Sequence, residues 1–136
     1  MERKFYVSLE VARLLKEKGY NNYSTVYDCS VEGDILLNQE PTYGEWVGDK
    51  DVYPCPTKAE AIDWLESKGI VVETFYNRNA KWVFYINKGR LELYDSWCDD
   101  DLVFPTRLEA EEAAIIKALE LLRKWIRHIA EEKIAH

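Results

Sequence analysis

The apolar positions of this chain fall into a few periodic runs, divided by stretches that keep no period. The first run lies in "SLEVARLLKEKGY", residues 8–20. Val11, Leu14 and Leu15 form one stripe at helical spacing, Ser8 can cap the first turn, and Gly19 suits a left-handed ending. The spacing predicts a helix over about residues 9–18, with Tyr20 folding back onto Leu15. A second helix is predicted in "PTKAEAIDWLESKGI", residues 56–70. There Thr57 and Glu60 have the spacing of a capping box, while Gly69 and Ile70 repeat the first helix's ending. The longest run starts at Thr106 and continues to about Ala130. Ile115, Ala118, Leu119, Leu122, Ile126 and Ile129 share one side, widened by Ala114, Leu121 and Trp125. Lys117, Glu120, Lys124 and Arg127 lie opposite, and Lys133 breaks the stripe, so "EEKIAH" is expected to fray.

Two-residue alternation marks the strands. Segments near 24–30 and 34–37 flank Glu32-Gly33, which suits a hairpin turn. "IVVETFY", "KWVFYIN" and "RLELYD" then read as three successive strands over 70–95. Taking Lys88-Gly89 as a two-residue turn places Ile86 opposite Leu91, Phe84 opposite Leu93, Val83 opposite Tyr94 and Tyr85 opposite Glu92. On that register Trp82, Phe84 and Ile86 form the helix-facing side, and Tyr85 and Tyr94 share the other. Residues 38–55, "NQEPTYGEWVGDKDVYPC", keep no period; a short hairpin around Gly48-Asp49 is one reading of them.

The fold class expected is α+β, one domain over residues 1–136. Its mainly antiparallel sheet centres on the 70–95 meander and is packed by the long C-terminal helix and one or two shorter ones. The hexapeptides "PTKAEA" (56–61) and "PTRLEA" (105–110) are both helix starts, proline before a threonine cap with glutamate three residues on. Shared capping chemistry explains their likeness; a distant internal duplication is the other reading.

Composition narrows the classes. The 136 residues include 5 Trp, 9 Tyr and 4 Phe, enough for a core, and carry a formal net charge of −7. That charge repels phosphate backbones, so no nucleic-acid partner is expected. Cys29, Cys55 and Cys98 are an odd set without CxxC spacing, which suits reduced packing thiols in a cytosol. The charged start "MERKFYVSLE" has no apolar core of a secretory signal, and no apolar run reaches the ~18 residues of a membrane span. A cytoplasmic protein with no membrane association is expected.

Candidate chemistry is sparse. The acidic stretch "YDSWCDDD" lacks the spacing of a calcium loop, and three adjacent aspartates cannot converge on one ion, so it reads as a solvated loop. His128 and His136 both lie near the C-terminus, which leaves a Ser-His-Asp or Cys-His arrangement without a base, and among the 25 Asp and Glu no pair is marked out for carboxylate chemistry. There is no phosphate-binding glycine motif. No cofactor, no metal and no catalytic residue are expected. The notable excess is aromatic. Tyr43, Trp46, Tyr53, Tyr85, Tyr94 and Trp97 form the candidate binding set, on the second meander face and in the adjoining loops. Either the 38–55 loop packs over these rings, or they are open to a protein partner, a second copy or a flat small ligand.

Four segments, "ARLLKEKGYN", "YPCPTKAEAIDWLESKGIVVE", "KWVFYINKGR" and "FPTRLEAEEAAIIKALELL", taken in order resemble a family of small acidic proteins encoded by gut bacteria and their phages and prophages. The resemblance covers most of the chain and brings no catalytic residues with it. It implies a mobile-element context and an accessory role. The expected function is therefore non-enzymatic, working through protein contacts, with small-ligand binding as the alternative.

Overall fold

In the computed structural model the described residues are 3–29, 36–38 and 50–135, with side chains described for 4–29 and 50–122. They form two compact units, Met1–Ala61 and Ile62–His136.

In the first unit, a short 3₁₀ turn at Arg3–Phe5 precedes helix α1, Leu9–Glu17. Ser8 caps it as the sequence predicts, its hydroxyl accepting from the Val11 N–H at 3.2 Å. The ending is a Schellman motif: Gly19 takes φ +91°, its N–H reaches the Lys16 carbonyl, and Tyr20 donates back to Leu15 at 2.9 Å. Strand β1 (Val26–Asp28) is the centre of a small antiparallel sheet, with β2 (Leu36–Asn38) on one side and β3 (Val52–Pro54) on the other. The strand β3 lies within the stretch that keeps no period, because three residues are too few to show alternation. Residues 30–35 and 39–49 lie outside the described residues, and with them both predicted turns, at Glu32-Gly33 and Gly48-Asp49. Val7, Val11, Leu15, Val26, Val52 and Cys55 are fully buried and make the unit's core. The Tyr27 hydroxyl donates to the Val7 carbonyl at 2.5 Å, which ties the sheet to the N-terminal segment.

Helix α2 (Lys58–Ser67) starts with the predicted capping box: Glu60 accepts from the Thr57 N–H at 3.0 Å, and Thr57 Oγ1 accepts from the Glu60 N–H at 3.1 Å. It ends as α1 does, with Gly69 at φ +87° and Ile70 donating to the Leu65 carbonyl at 3.0 Å.

The second unit holds the expected meander, β4 (Val71–Tyr76), β5 (Trp82–Lys88) and β6 (Leu91–Asp95), packed by the long helix α4, Arg107–Ala135. The class is α+β. Ala114, Ile115, Ala118 and Leu119 of the predicted stripe are fully buried along α4, and Ala110 is buried with them. The helix also runs past Ala130 to Ala135, so the expected fraying of 131–135 is corrected; side-chain pattern there does not decide whether backbone hydrogen bonding continues.

The β5–β6 register differs from the expected one. Gly89, at φ +59°, and Arg90 form the two-residue turn, so Lys88 faces Leu91 and Asn87 faces Glu92. Glycine stands at the first central position, as a type II′ turn requires, rather than at the second. A bulge then makes Leu93 an extra residue, and beyond it Ile86 faces Tyr94 and Tyr85 faces Asp95. A slip by an odd number of residues moves a side chain to the opposite face. Tyr94 therefore joins Phe84 and Ile86 on the helix-covered side, and Tyr85 stays on the other.

Candidate functional site

After Asp95 the chain leaves the strand track, forms the short helix α3 (Ser96–Asp100), and returns where Phe104 pairs with Trp82. Trp82 and Phe104 exchange two backbone hydrogen bonds, each 2.8 Å. The excursion removes the backbone acceptor that the Phe84 N–H would otherwise meet. Ser96 replaces it: its hydroxyl, in a fully buried residue, accepts from Phe84 at 3.0 Å. Asp95 caps α3, its Oδ1 accepting from Trp97 at 3.0 Å and Cys98 at 3.1 Å, and Asp99 accepts from the Asp95 N–H at 2.8 Å. Asp100 accepts from the Tyr94 hydroxyl at 2.5 Å, and Asp101 ends the helix in left-handed backbone, φ +52°. The expected solvated acidic loop is thus a helix held by its own carboxylates. Among the described residues no cluster of three or more His, Cys, Asp or Glu is placed to hold a metal ion.

The open side of the meander follows from its register. Glu73, Tyr85 and Asp95 lie side by side across the three strands, and Phe75 lies beside Val83 in the next row; Val83 is itself buried, so this side is open at Glu73 and Phe75 rather than throughout. The Phe75 and Tyr85 rings meet at 5.0 Å, and Phe75 remains 44% exposed. Trp97, Leu102 and Val103 are also exposed, on α3 and on the returning segment. Burial raises the Tyr85 phenol above its ordinary value, and the charges of Asp95, Cys98 and Glu92 raise it further. The Cys98 thiol is exposed rather than packed, and it too is raised, first by its hydrogen bond to Asp95 and then by that residue's charge. Such a thiol resists forming the thiolate a nucleophile needs. The site is two adjoining aromatic rings bordered by carboxylates.

The structure divides the candidate residues. Tyr85 belongs to this side, and Trp97 is exposed on α3. Tyr94 does not: it is 6% exposed, packs on Phe84 at 5.5 Å, and has the Lys117 ammonium 4.7 Å from its ring centre. Lys117, expected on the polar side of α4, thus reaches the sheet. Tyr53 lies in the first unit, on β3, with Arg13 at 5.5 Å and Lys16 at 4.9 Å from its ring centre. Lys16 also donates to the Val52 carbonyl at 2.7 Å, so these cations fasten α1 to β3. Tyr43 and Trp46 lie outside the described residues. The sequence reading passed over Phe75 and Glu73, although "VVETFY" alternates and places Val71, Glu73 and Phe75 on one face.

Comparison with known proteins finds no matching family model, no matching curated protein and no matching solved structure. No helix among the described residues is long and apolar enough to cross a membrane.

Proposed function

We propose that this is a non-enzymatic accessory protein that works through protein contacts, and that the open side of the meander receives a basic segment of its partner. The observation that carries the reading is the row Glu73–Tyr85–Asp95 beside the exposed Phe75 ring. Aromatic faces attract guanidinium and ammonium groups, and flanking carboxylates add charge attraction and discriminate against acidic partners. The aliphatic stems of Arg and Lys also cover exposed ring surface while the charge stays near water. The resemblance in the sequence, which implies an accessory role in a phage or prophage setting, agrees with a protein whose work is contact. A flat-ligand site draws less support, because Tyr94, one of the aromatics it would use, is 6% exposed and packed against Phe84 and Lys117.

Calorimetric titration with Arg- and Lys-rich peptides, against acidic peptides of equal length, tests the reading. Basic peptides should bind with strong salt dependence, and Glu73→Lys or Phe75→Ser should abolish the binding. Leu91→Ser, which removes a more exposed apolar side chain at the β5–β6 turn, should leave it intact. Binding that Glu73→Lys and Phe75→Ser leave unchanged would overturn the proposal.

A further inference from the structure

The strand β4 ends the order β4-β5-β6, and its outer edge carries backbone groups that can be assigned one by one. Beyond the strand end, the Asn77 N–H donates to the Lys81 carbonyl at 2.8 Å. Bonded pairs alternate along an antiparallel ladder, so Phe75 with Val83, Glu73 with Tyr85 and Val71 with Asn87 are the pairs that exchange bonds. Trp82 agrees, since its backbone bonds go to Phe104 on the opposite side of β5. The N–H and C=O of Val72, Thr74 and Tyr76 therefore point outward. Among the described residues no hydrogen bond reaches them.

Edge strands are ordinarily blunted by lysine, proline or a bulge. The strand VVETFY has none of these and a single charge, Glu73, whereas β6 carries the Leu93 bulge and two charges, Glu92 and Asp95. We infer that β4 pairs antiparallel with β4 of a second copy, about a two-fold axis normal to the sheet. Two three-stranded sheets then become one continuous sheet.

The strand is self-complementary in a single register. Thr74 lies opposite Thr74 of the second copy, and Val72 lies opposite the second copy's Tyr76. All the outward-facing groups then meet outward-facing groups, and each face of one sheet continues the same face of the other. Threonine pairs and aromatic–β-branched pairs are favourable across strands. Tyr76, 61% exposed in one copy, gains cover from the second copy's Val72. Glu73 lies opposite the second copy's Phe75. Of the neighbouring registers of the same parity, one sets Glu73 against Glu73, a like-charge pair, and the other shortens the overlap to Thr74–Tyr76. The inference does not depend on the basic-segment reading, because it uses the edge's backbone and not the open face.

Sedimentation of the full chain through the micromolar range tests it. The expected species is a dimer of the 16.0 kDa chain. Thr74→Lys places two like charges directly opposite and should weaken the dimer at least about tenfold while the far-UV spectrum is retained. Thr74→Pro removes an outward N–H and no bond to β5, so it should do the same. Should the proline variant fail to fold, the lysine variant decides. In a Cys98→Ser background, Thr74→Cys should give a disulfide-linked dimer on oxidation, since bonded antiparallel pairs stand about 5.5 Å apart at Cα. A chain that is monomeric throughout, a dimer that Thr74→Lys leaves untouched, or no linkage through position 74 would each overturn the inference. Binding of a foreign strand to a monomeric chain falls among those results.

Discussion

Ser96 shows how much one buried hydroxyl can decide. The chain leaves the β6 track just where the Phe84 N–H needs an acceptor, and Ser96 Oγ provides it at 3.0 Å. Ser96→Ala leaves that buried N–H without a partner. Stability should fall by about 1–3 kcal/mol, read as a lower urea midpoint at unchanged slope. A variant indistinguishable from the parent would show that Ser96 is not the acceptor that matters there. Tyr94 makes the same point about environment. Its ring is held by Phe84, by Lys117 and by the Asp100 carboxylate, and no property of the residue in isolation distinguishes it from the open Tyr85.

Helices α1 and α2 were legible because their boundaries are set by local chemistry. A cap hydroxyl meets an N–H three residues away, and glycine alone enters left-handed backbone without strain. Gly19 stands at φ +91° with no heavy atom within 4 Å of where a Cβ would be, so the constraint is the backbone's. Gly19→Ala should therefore destabilise the fold by about 1–2 kcal/mol in urea melts, with little change in the transition's slope. An unchanged midpoint would mean that the helix ends differently. The β5–β6 hairpin was legible as a hairpin and misread in register. Choosing between Lys88-Gly89 and Gly89-Arg90 as the turn is a small local decision, and the Leu93 bulge is not marked by any residue type. Together they exchange the faces of Tyr94 and Leu93. The helix α3 was missed because a five-residue helix has no full apolar period to detect.

At the scale of the whole molecule, tyrosine ionisation reports the cores. Burial first, then the charges of Glu60 and Cys55, push the Tyr20 phenol up from 10.0 to about 12. The Tyr94 phenol is raised as well, by burial, by its hydrogen bond to Asp100 and by nearby aspartate charge. A raised phenol keeps its proton in the folded chain while the unfolded chain gives it up near pH 10. The stabilisation is thus complete below pH 10 and is lost as pH climbs through about 12. Alkaline titration should show Tyr20, in the first unit, and Tyr94, in the second, ionising only as far-UV ellipticity is lost. If all 9 tyrosines ionise together near pH 10 with the fold intact, these burial assignments are wrong.

By itself the sequence determined the α+β class, the caps and endings of α1 and α2, the buried stripe of α4 and the existence of the meander. Each depends on spacing within a turn of helix or a few residues of strand, where side chains reach their partners without help from the rest of the chain. Only the tertiary structure decided that β3 joins β1, that Phe104 returns to pair with Trp82, and that Tyr85 and Tyr94 face opposite ways. Those outcomes turn on which backbone groups are left unsatisfied when distant segments meet. That competition has no signature in the residues of either segment alone.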